Sequence, residues 1–443
     1  MQQQQRNSSK NKLHPEDRSA HDWYRFVLSF PPHLVRDYLA KFDITASHRV
    51  LDPFCGTGTT IVECKKQNIP SVGVEANKLA QFAGATKIDW MIDPDILLHI
   101  SHQVARDVLQ ELERQGVDDN PLFQDWCQQR NLSSVDLRTL DPDITKLLVK
   151  NSISPLPLHK VLVLRDYLSR HEGEPYYSHQ MLALAKALIA SISNLYFAPE
   201  VGVGALKDDA SVVSSWLSQV SHMATDIRQL RLMRDIPATI YHADARNQLY
   251  FIEPQSIDAV ITSPPYPNEK DYTRITRLES VLLGFIKSKA DLQLLKRNLI
   301  CSNTRSVYKD DDDDKWVMQY PEILRIAEEI ETRRTELGKT SGFERLYSRV
   351  TKLYFGGMVR HLANLRTILR DGAQLAYVVG EQASYLRVMI QTGQLLADIA
   401  ESLGYEVMGI DLFRTRLATS TKAQLREEVV CLRWAGGRKS LKS

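Results

Sequence analysis

Apolar positions along this chain fall into two patterns, short continuous runs and helical repeats, and their alternation predicts an α/β fold. Four runs read as strands: Val50-Leu51 leading to Asp52, Ser71-Val72-Gly73-Val74-Glu75, Ala238-Thr239-Ile240-Tyr241-His242 and Ala259-Val260-Ile261-Thr262. Residues 372–380 read as a later strand, 398–405 as a helix ending at Gly404, and 427–434 as the final strand. Helical spacing dominates 96–109 and 181–189, so most of 91–235 is expected to be a helical insertion.

The sharpest chemical signal follows the fourth run. Ser263-Pro264-Pro265-Tyr266 should sit at the mouth of a sheet. The proline pair removes two backbone donors and fixes φ near −65°, leaving rigid carbonyls between a hydroxyl and a flat aromatic. Such a slot suits a planar group carrying an amine, its N–H bonds accepted by oxygen and its face stacked on Tyr266, as a nucleobase would be. Read alone, the tetrapeptide is equally compatible with a strand followed by a proline turn.

A second signal follows the first run. Asp52-Pro53-Phe54-Cys55-Gly56-Thr57-Gly58-Thr59-Thr60 places a Gly-x-Gly turn before a helix expected to begin at about Thr59. Glycines there let backbone approach a ligand, and the helix start offers free N–H groups. Glu75, 23 residues beyond Asp52, ends the next strand, where an acid usually grips ribose hydroxyls. The third glycine of a dinucleotide fingerprint is missing, and Asp52 would repel a pyrophosphate but suits a cationic amino group. S-adenosylmethionine has that amino group, a ribose and an adenine. Asp244, beyond the third run, is placed to face the adenine amine.

Composition narrows the classes. The chain has 443 residues, 43% hydrophobic and 25% charged, with a net charge of only +2, so a nucleic-acid site must be a local patch. Five scattered cysteines without a CxxC pair argue against structural zinc and disulfides and for a reducing compartment. No apolar run is long enough to span a membrane, and a cytoplasmic, nucleoid-associated location is expected.

These residues resemble the amino-methyltransferases of DNA, which methylate exocyclic N4 of cytosine or N6 of adenine. The segment from Asp52 to Gly58 is similar to their cofactor motif, Glu75 and Asp244 to the acids of the next two, and Ser263 to Tyr266 to the catalytic motif. Phe30, in Phe30-Pro31-Pro32-His33, resembles the upstream motif packed near the methionine end of the cofactor. The resemblance implies an α/β, Rossmann-like doubly wound sheet with a large helical insertion, and S-adenosyl-L-methionine as cofactor. It implies catalysis by Ser263, Pro264, Pro265 and Tyr266. Cofactor contacts are expected from Phe30, Asp52, Pro53, Phe54, Gly56, Gly58, Thr59, Thr60, Glu75, Asn77, Asp244 and Ala245. Tyr272 and Arg274 border the base pocket in the family and are candidate substrate contacts. The Ser form of the slot favours cytosine; adenine, an RNA base, a glutamine side chain, or a DNA-binding protein without catalysis are the alternatives.

The implied organisation is a disordered polar tail over 1–19, a catalytic domain over 20–90, 236–285 and 355–435, insertions over 91–235 (a candidate for DNA recognition) and 286–354 (a candidate for target recognition), and a basic tail over 436–443. From Asp411 onward eight basic residues outnumber three acidic ones, making Arg414 and Arg416 substrate candidates in a phosphate-facing segment. The expected partner is double-stranded DNA, with the chain a monomer that is either solitary or paired with a separate cognate restriction endonuclease. The acidic run 310–314 reads as an exposed loop tip. Asp52, Glu63 and Lys65 imitate a nuclease triad, but Glu63 and Lys65, two apart on a helix, point to different sides. His99 and His102 read as helix-surface histidines, and no metal is expected.

Overall fold

The computed structural model describes residues 12–26, 29–119, 136–197, 200–417 and 424–436. In chain order the strands are β1 (Val50–Asp52), β2 (Ser71–Glu75), β3 (Leu195–Phe197), β4 (Val201–Val203), β5 (Ala238–His242), β6 (Ile257–Thr262), β7 (Leu369–Gly380), β8 (Tyr405–Leu417) and β9 (Gln424–Trp434). Seven of them form one sheet in the order β5-β2-β1-β6-β7-β9-β8, while β3 and β4 pair separately. All neighbours from β5 to β7 are parallel, and β9 runs antiparallel to both β7 and β8. This is an α/β, Rossmann-like sheet.

Period-two alternation explains how the sheet is covered. Ala259, Ile261, Ala376 and Val378 pack with Leu34, Val35 and Leu39 of the helix Pro32–Lys41 on one face. Val260, Leu375, Tyr377 and Val379 face the opposite way, against Tyr354, Phe355 and Met358 of the helix Tyr347–Leu365 and Leu396 of the helix Thr392–Ser402. Parallel strands covered on both faces need such continuous apolar runs.

The helix expected over 398–405 is this one, Thr392–Ser402, which begins earlier and stops before Gly404 at φ +90°. Residues 91–235 contain the helices Pro94–Arg114, Pro155–Ser169, Tyr177–Ala187 and Val212–Leu230, which share a core of Val104, Val108, Leu164, Leu184 and Trp216. Over 286–354 the helices Lys289–Asn298 and Pro321–Glu336 occur, and the second buries Ile323, Ile326 and Ile330.

The tail expected over 1–19 is a correction at its end. Residues 1–11 lie outside the described structure, but Pro15–Asp17 forms a helical turn and Asp17 is buried, bonded to Arg36 at 2.8 Å. Further on, Trp23 Nε1 donates to Asp226 Oδ2 at 2.7 Å and Tyr24 donates to Glu279 Oε1 at 2.7 Å, tying this segment to the insertion and to the helix Arg277–Leu282. The basic tail over 436–443 lies outside the described residues apart from Gly436.

Glu63 and Lys65 do diverge: Glu63 meets His21 and Arg36, each at 2.7 Å, whereas Lys65 donates to the Ile88 carbonyl at 2.8 Å. His99 and His102 are exposed, and no group of three metal-ligating side chains occurs among the described residues. Nor is any helix among them long and apolar enough to cross a membrane.

Glu279 offers a test of the interior. Burial pushes its carboxyl from 4.5 up to about 7, partly offset by the Tyr24 hydrogen bond. Between those values the folded chain holds a proton that the unfolded chain has released, so this group's contribution to stability falls as pH rises towards and past 7. Glu279→Gln, which mimics the neutral form, should therefore gain in Tm relative to the parent between pH 5 and pH 8. A Tm difference that is flat or declining over that range would contradict the assignment.

Candidate active site

The sheet order reverses between β1 and β6, and at such a switch point two strand ends open a crevice for a ligand. Asp52 ends β1 and Ser263 follows β6 at this crevice. After Asp52 the chain turns through Gly56 at φ +51° and Gly58 at φ +84°, and Gly58 caps the helix Thr59–Lys66. A Cβ on Gly58 would also lie 3.3 Å from both the Gly84 Cα and Ile240 Cδ1, so the loop lies close against the helix Lys78–Ile88. Glu75 braces the turn, its Oε2 accepting the Gly56 N–H at 2.8 Å and its Oε1 the Asn77 N–H at 2.7 Å.

A cavity of about 640 Å³ opens over these strand ends. Of the residues singled out from sequence, it gathers Phe30, Pro53, Phe54, Gly56, Thr59, Glu75, Asn77, Asp244, Ala245, all of Ser263 to Tyr266, Tyr272, Arg414 and Arg416. A glycine-loop wall and the Ser-Pro-Pro-Tyr wall thus face one space.

Four expected contacts are corrected. Asp52 is fully buried beneath the cavity wall; its Oδ1 accepts from Thr262 at 2.6 Å and from the Phe54 N–H at 3.1 Å, tying the tips of β1 and β6 together. Gly58 acts as the helix cap, and Thr60 is buried with its hydroxyl on the Ile261 carbonyl at 3.1 Å. Arg274 is exposed and outside the cavity lining, because the short helix Tyr272–Ile275 turns Tyr272 inward and Arg274 out.

The Ser-Pro-Pro-Tyr wall is held from three sides. Ser263 Oγ donates to the Val378 carbonyl at 3.1 Å, which commits its proton and leaves its oxygen as an acceptor at the cavity surface. The Tyr272 hydroxyl accepts the Tyr266 N–H at 3.2 Å, so Tyr272 fixes the turn as well as lining the site. Gly380 ends β7 beside the Tyr266 ring, where a Cβ would come 3.1 Å from Tyr266 Cε2. Burial and the nearby Glu427 carboxylate push the Tyr266 phenol well above its ordinary range, so it stays neutral.

Electrostatics across the cavity differ from wall to wall. Burial raises Asp52 to about 6 and Glu75 to about 7, in both cases against the hydrogen bonds that favour their charged forms. Asp244 lines the cavity with both carboxylate oxygens gripped by Arg246, at 2.7–3.0 Å. Cys55 is buried between Gly56 and Gly73, and a Cβ on Gly73 would lie 2.9 Å from its sulfur; burial pushes its thiol far up, so it is filler rather than a nucleophile.

The described half of the phosphate-facing segment is also corrected. Among the described residues, Arg414 pairs with Glu427 at 2.5 Å, Arg426 with Glu428 at 2.6 Å and Arg433 with Glu406, while Arg416 donates to the Glu381 carbonyl and to Gln382, both at 2.9 Å. Lys422, Arg438, Lys439 and Lys442 lie outside the described residues. Arg414 and Arg416 belong instead to the cavity wall.

Sequence reasoning missed Gln382, Lys270 and Glu427 in that wall. Gln382 lies two residues past β7, so a strand-end rule would have found it. Glu427 gave no local signal, since only the antiparallel register Gly380↔Glu427 brings it to this end of the sheet.

A family model described as DNA methylase (N6_N4_Mtase) matches residues 1–81, a span that includes β1, the glycine turn and β2. The type II methyltransferase M.BsoBI of Geobacillus stearothermophilus is 22% identical over 466 residues, covering 94% of this chain and 85% of that protein. M.AvaI, a type II methyltransferase of Nostoc sp., is 23% identical over 441 residues, covering 93% and 83%. The structure of TrmN from Thermus thermophilus aligns at 12% identity and a TM-score of 0.26 over 91% of this chain and 48% of that one, a likeness too weak to carry an argument.

Proposed function

We propose that this chain, a member of the DNA amino-methyltransferase family, transfers a methyl group from S-adenosylmethionine to the exocyclic N4 of a flipped-out cytosine in duplex DNA. One observation carries the reading: Ser263 to Tyr266 and the Gly56–Glu75–Asp244 wall line a single cavity. The cavity suits the cofactor in its donor set. Glu75 can accept hydrogen bonds from hydroxyls at the wall, since each of its oxygens uses one lone pair on a backbone N–H and keeps another. The positive-φ glycines bring backbone close to a ligand without side chains in the way. Beneath the wall, Asp52 Oδ2 is buried without a hydrogen-bond partner among the described residues, a negative potential that favours a cationic amino group above it.

When bound, S-adenosylmethionine supplies an electrophilic methyl on a sulfonium centre. The chain's own residues prepare the nucleophile. An exocyclic amine is poorly nucleophilic because its lone pair is delocalised into the ring. Ser263 Oγ, its proton held by Val378, can accept one amine N–H, and the proline pair offers no competing backbone donor. A hydrogen bond of that kind favours a localised, more tetrahedral lone pair aimed across the cavity, and orientation supplies much of the rate. Tyr266 presents a neutral aromatic face to the base. Base–aromatic stacking of about 1–3 kcal/mol offsets part of the few kcal/mol that unstacking costs.

Cytosine is favoured because the Ser form of the slot is commonest among N4-cytosine enzymes. The whole-chain likeness to type II methyltransferases supports a role beside a separate endonuclease. Incubation with labelled S-adenosylmethionine and duplex DNA, followed by nucleoside analysis, tests the reading. N4-methylcytosine is the expected product. Label recovered as N6-methyladenine would move the assignment to adenine, and no transfer to any DNA would overturn it.

A further inference from the structure

The acidic run 310–314, expected as an exposed loop tip, is only partly one. Asp310 is exposed, but Asp313 is buried and leads straight to the cavity. Its Oδ2 receives Arg246 Nη1 at 2.6 Å, and the same guanidinium grips both oxygens of Asp244 through Nε and Nη2. Arg360, on the helix Tyr347–Leu365, donates to Asp313 Oδ1 at 3.2 Å and to Asn247 Oδ1 at 2.6 Å, closing a ring around the turn that carries Asp244. Room for this contact comes from Gly356: a Cβ there would lie 1.8 Å from the Asp313 carbonyl oxygen.

We infer that Asp313, acting through Arg246, is a positioning residue that orients Asp244 for the adenosine end of the cofactor. The inference rests on the S-adenosylmethionine reading above. The physical need is local. Asp244 lies beyond the end of β5 on a turn, where a carboxylate held only by a neighbour two residues away would rotate together with it. Arg246 Nη2 also donates to the Arg297 carbonyl at 2.5 Å, so two distant segments fix the guanidinium, and Asp313 supplies the charged one of the two anchors. Two acids and two arginines also keep the buried group neutral, so the anchor adds no net charge to the cavity wall. Asp313 itself does not line the cavity and touches no reacting atom.

The experiment compares the parent protein with Asp313→Asn and Arg360→Gln by calorimetric titration of S-adenosylmethionine, by thermal unfolding without ligand, and by kinetics on duplex DNA. Loss of a hydrogen bond to a charged group should raise Kd and KM for S-adenosylmethionine by about tenfold in Asp313→Asn, and by less in Arg360→Gln. kcat at saturating cofactor and KM for DNA should stay within about twofold, because the base slot is untouched. Arg360 is half-buried, so Arg360→Gln keeps the test open should Asp313→Asn fail to fold. A lowered Tm with unchanged Kd in the folded fraction would reduce the network to a structural role and overturn the inference. Absence of binding by the parent protein would instead overturn the cofactor reading itself.

Discussion

Tyr266→Ala is expected to lower kcat/KM on duplex DNA by about a hundredfold or more while changing the Kd for S-adenosylmethionine by no more than about threefold. The first figure follows from losing one base–aromatic stack, about 1–3 kcal/mol, together with the orientation that the ring imposes on the base. The second follows from placement: Tyr266 stands on the β6–β7 side of the cavity beside Gly380, whereas Glu75, Asn77 and the glycine turn stand on the β1–β2 side. Tyr266→Phe should keep most of the activity, since stacking needs the ring and the raised phenol stays neutral. Steady-state kinetics with calorimetry separates the two effects. If Tyr266→Ala lost cofactor affinity and turnover equally, the turn would be holding the fold rather than the base.

The second large effect concerns Glu75. Its carboxylate braces the Gly56 and Asn77 amides and faces the cavity, so Glu75→Ala removes the brace and, on the proposed reading, the ligand grip as well. A rise of about a hundredfold in Kd for S-adenosylmethionine is expected, equivalent to about two hydrogen bonds to a charged group. The pH dependence is diagnostic. Burial lifts this group from 4.5 to about 7, and hydroxyl donors on the ligand stabilise its charged form. Affinity should therefore level off above pH 8 and weaken as pH falls through 7 towards 5, by at most about tenfold per unit for one proton. Glu75→Gln should remove the part of that profile centred near pH 7, at a lower affinity, and leave only the fall near pH 6 that belongs to Asp52. An affinity in the parent protein that does not change between pH 5.5 and pH 8 would remove Glu75 from the ligand's reach.

Legibility from sequence followed the range of the interactions. Strands β1, β2 and β6 were readable because parallel strands covered on both faces are largely apolar, β5 at the sheet edge by its β-branched and aromatic residues, and the tips because glycine, proline and acid residues punctuate them. Tyr272 and Arg274 show the limit. Both belong to one polar segment, yet the first helical turn after Asp271 sends Tyr272 to the Tyr266 amide and Arg274 to solvent. The basic residues after Asp411 show it again: a charge count sees net positive charge, but the β8–β9 register sets Arg414 opposite Glu427 and makes both part of the cavity wall.

What the sequence determined by itself is the set of short-range devices: the glycine turn before a helix, the acid ending β2, and the Ser-Pro-Pro-Tyr turn beyond β6. Each depends only on backbone freedom or donor loss within a few residues, so composition at those positions suffices. Tertiary structure alone decided which of those groups face the cavity. It buried Asp52 beneath the wall, brought Glu427 and Gln382 into it through strand register, and drew Asp313 from an apparently idle acidic run to stand behind Asp244. Those outcomes depend on the pairing of strands and helices far apart in the chain, and no local pattern encodes a partner that distant.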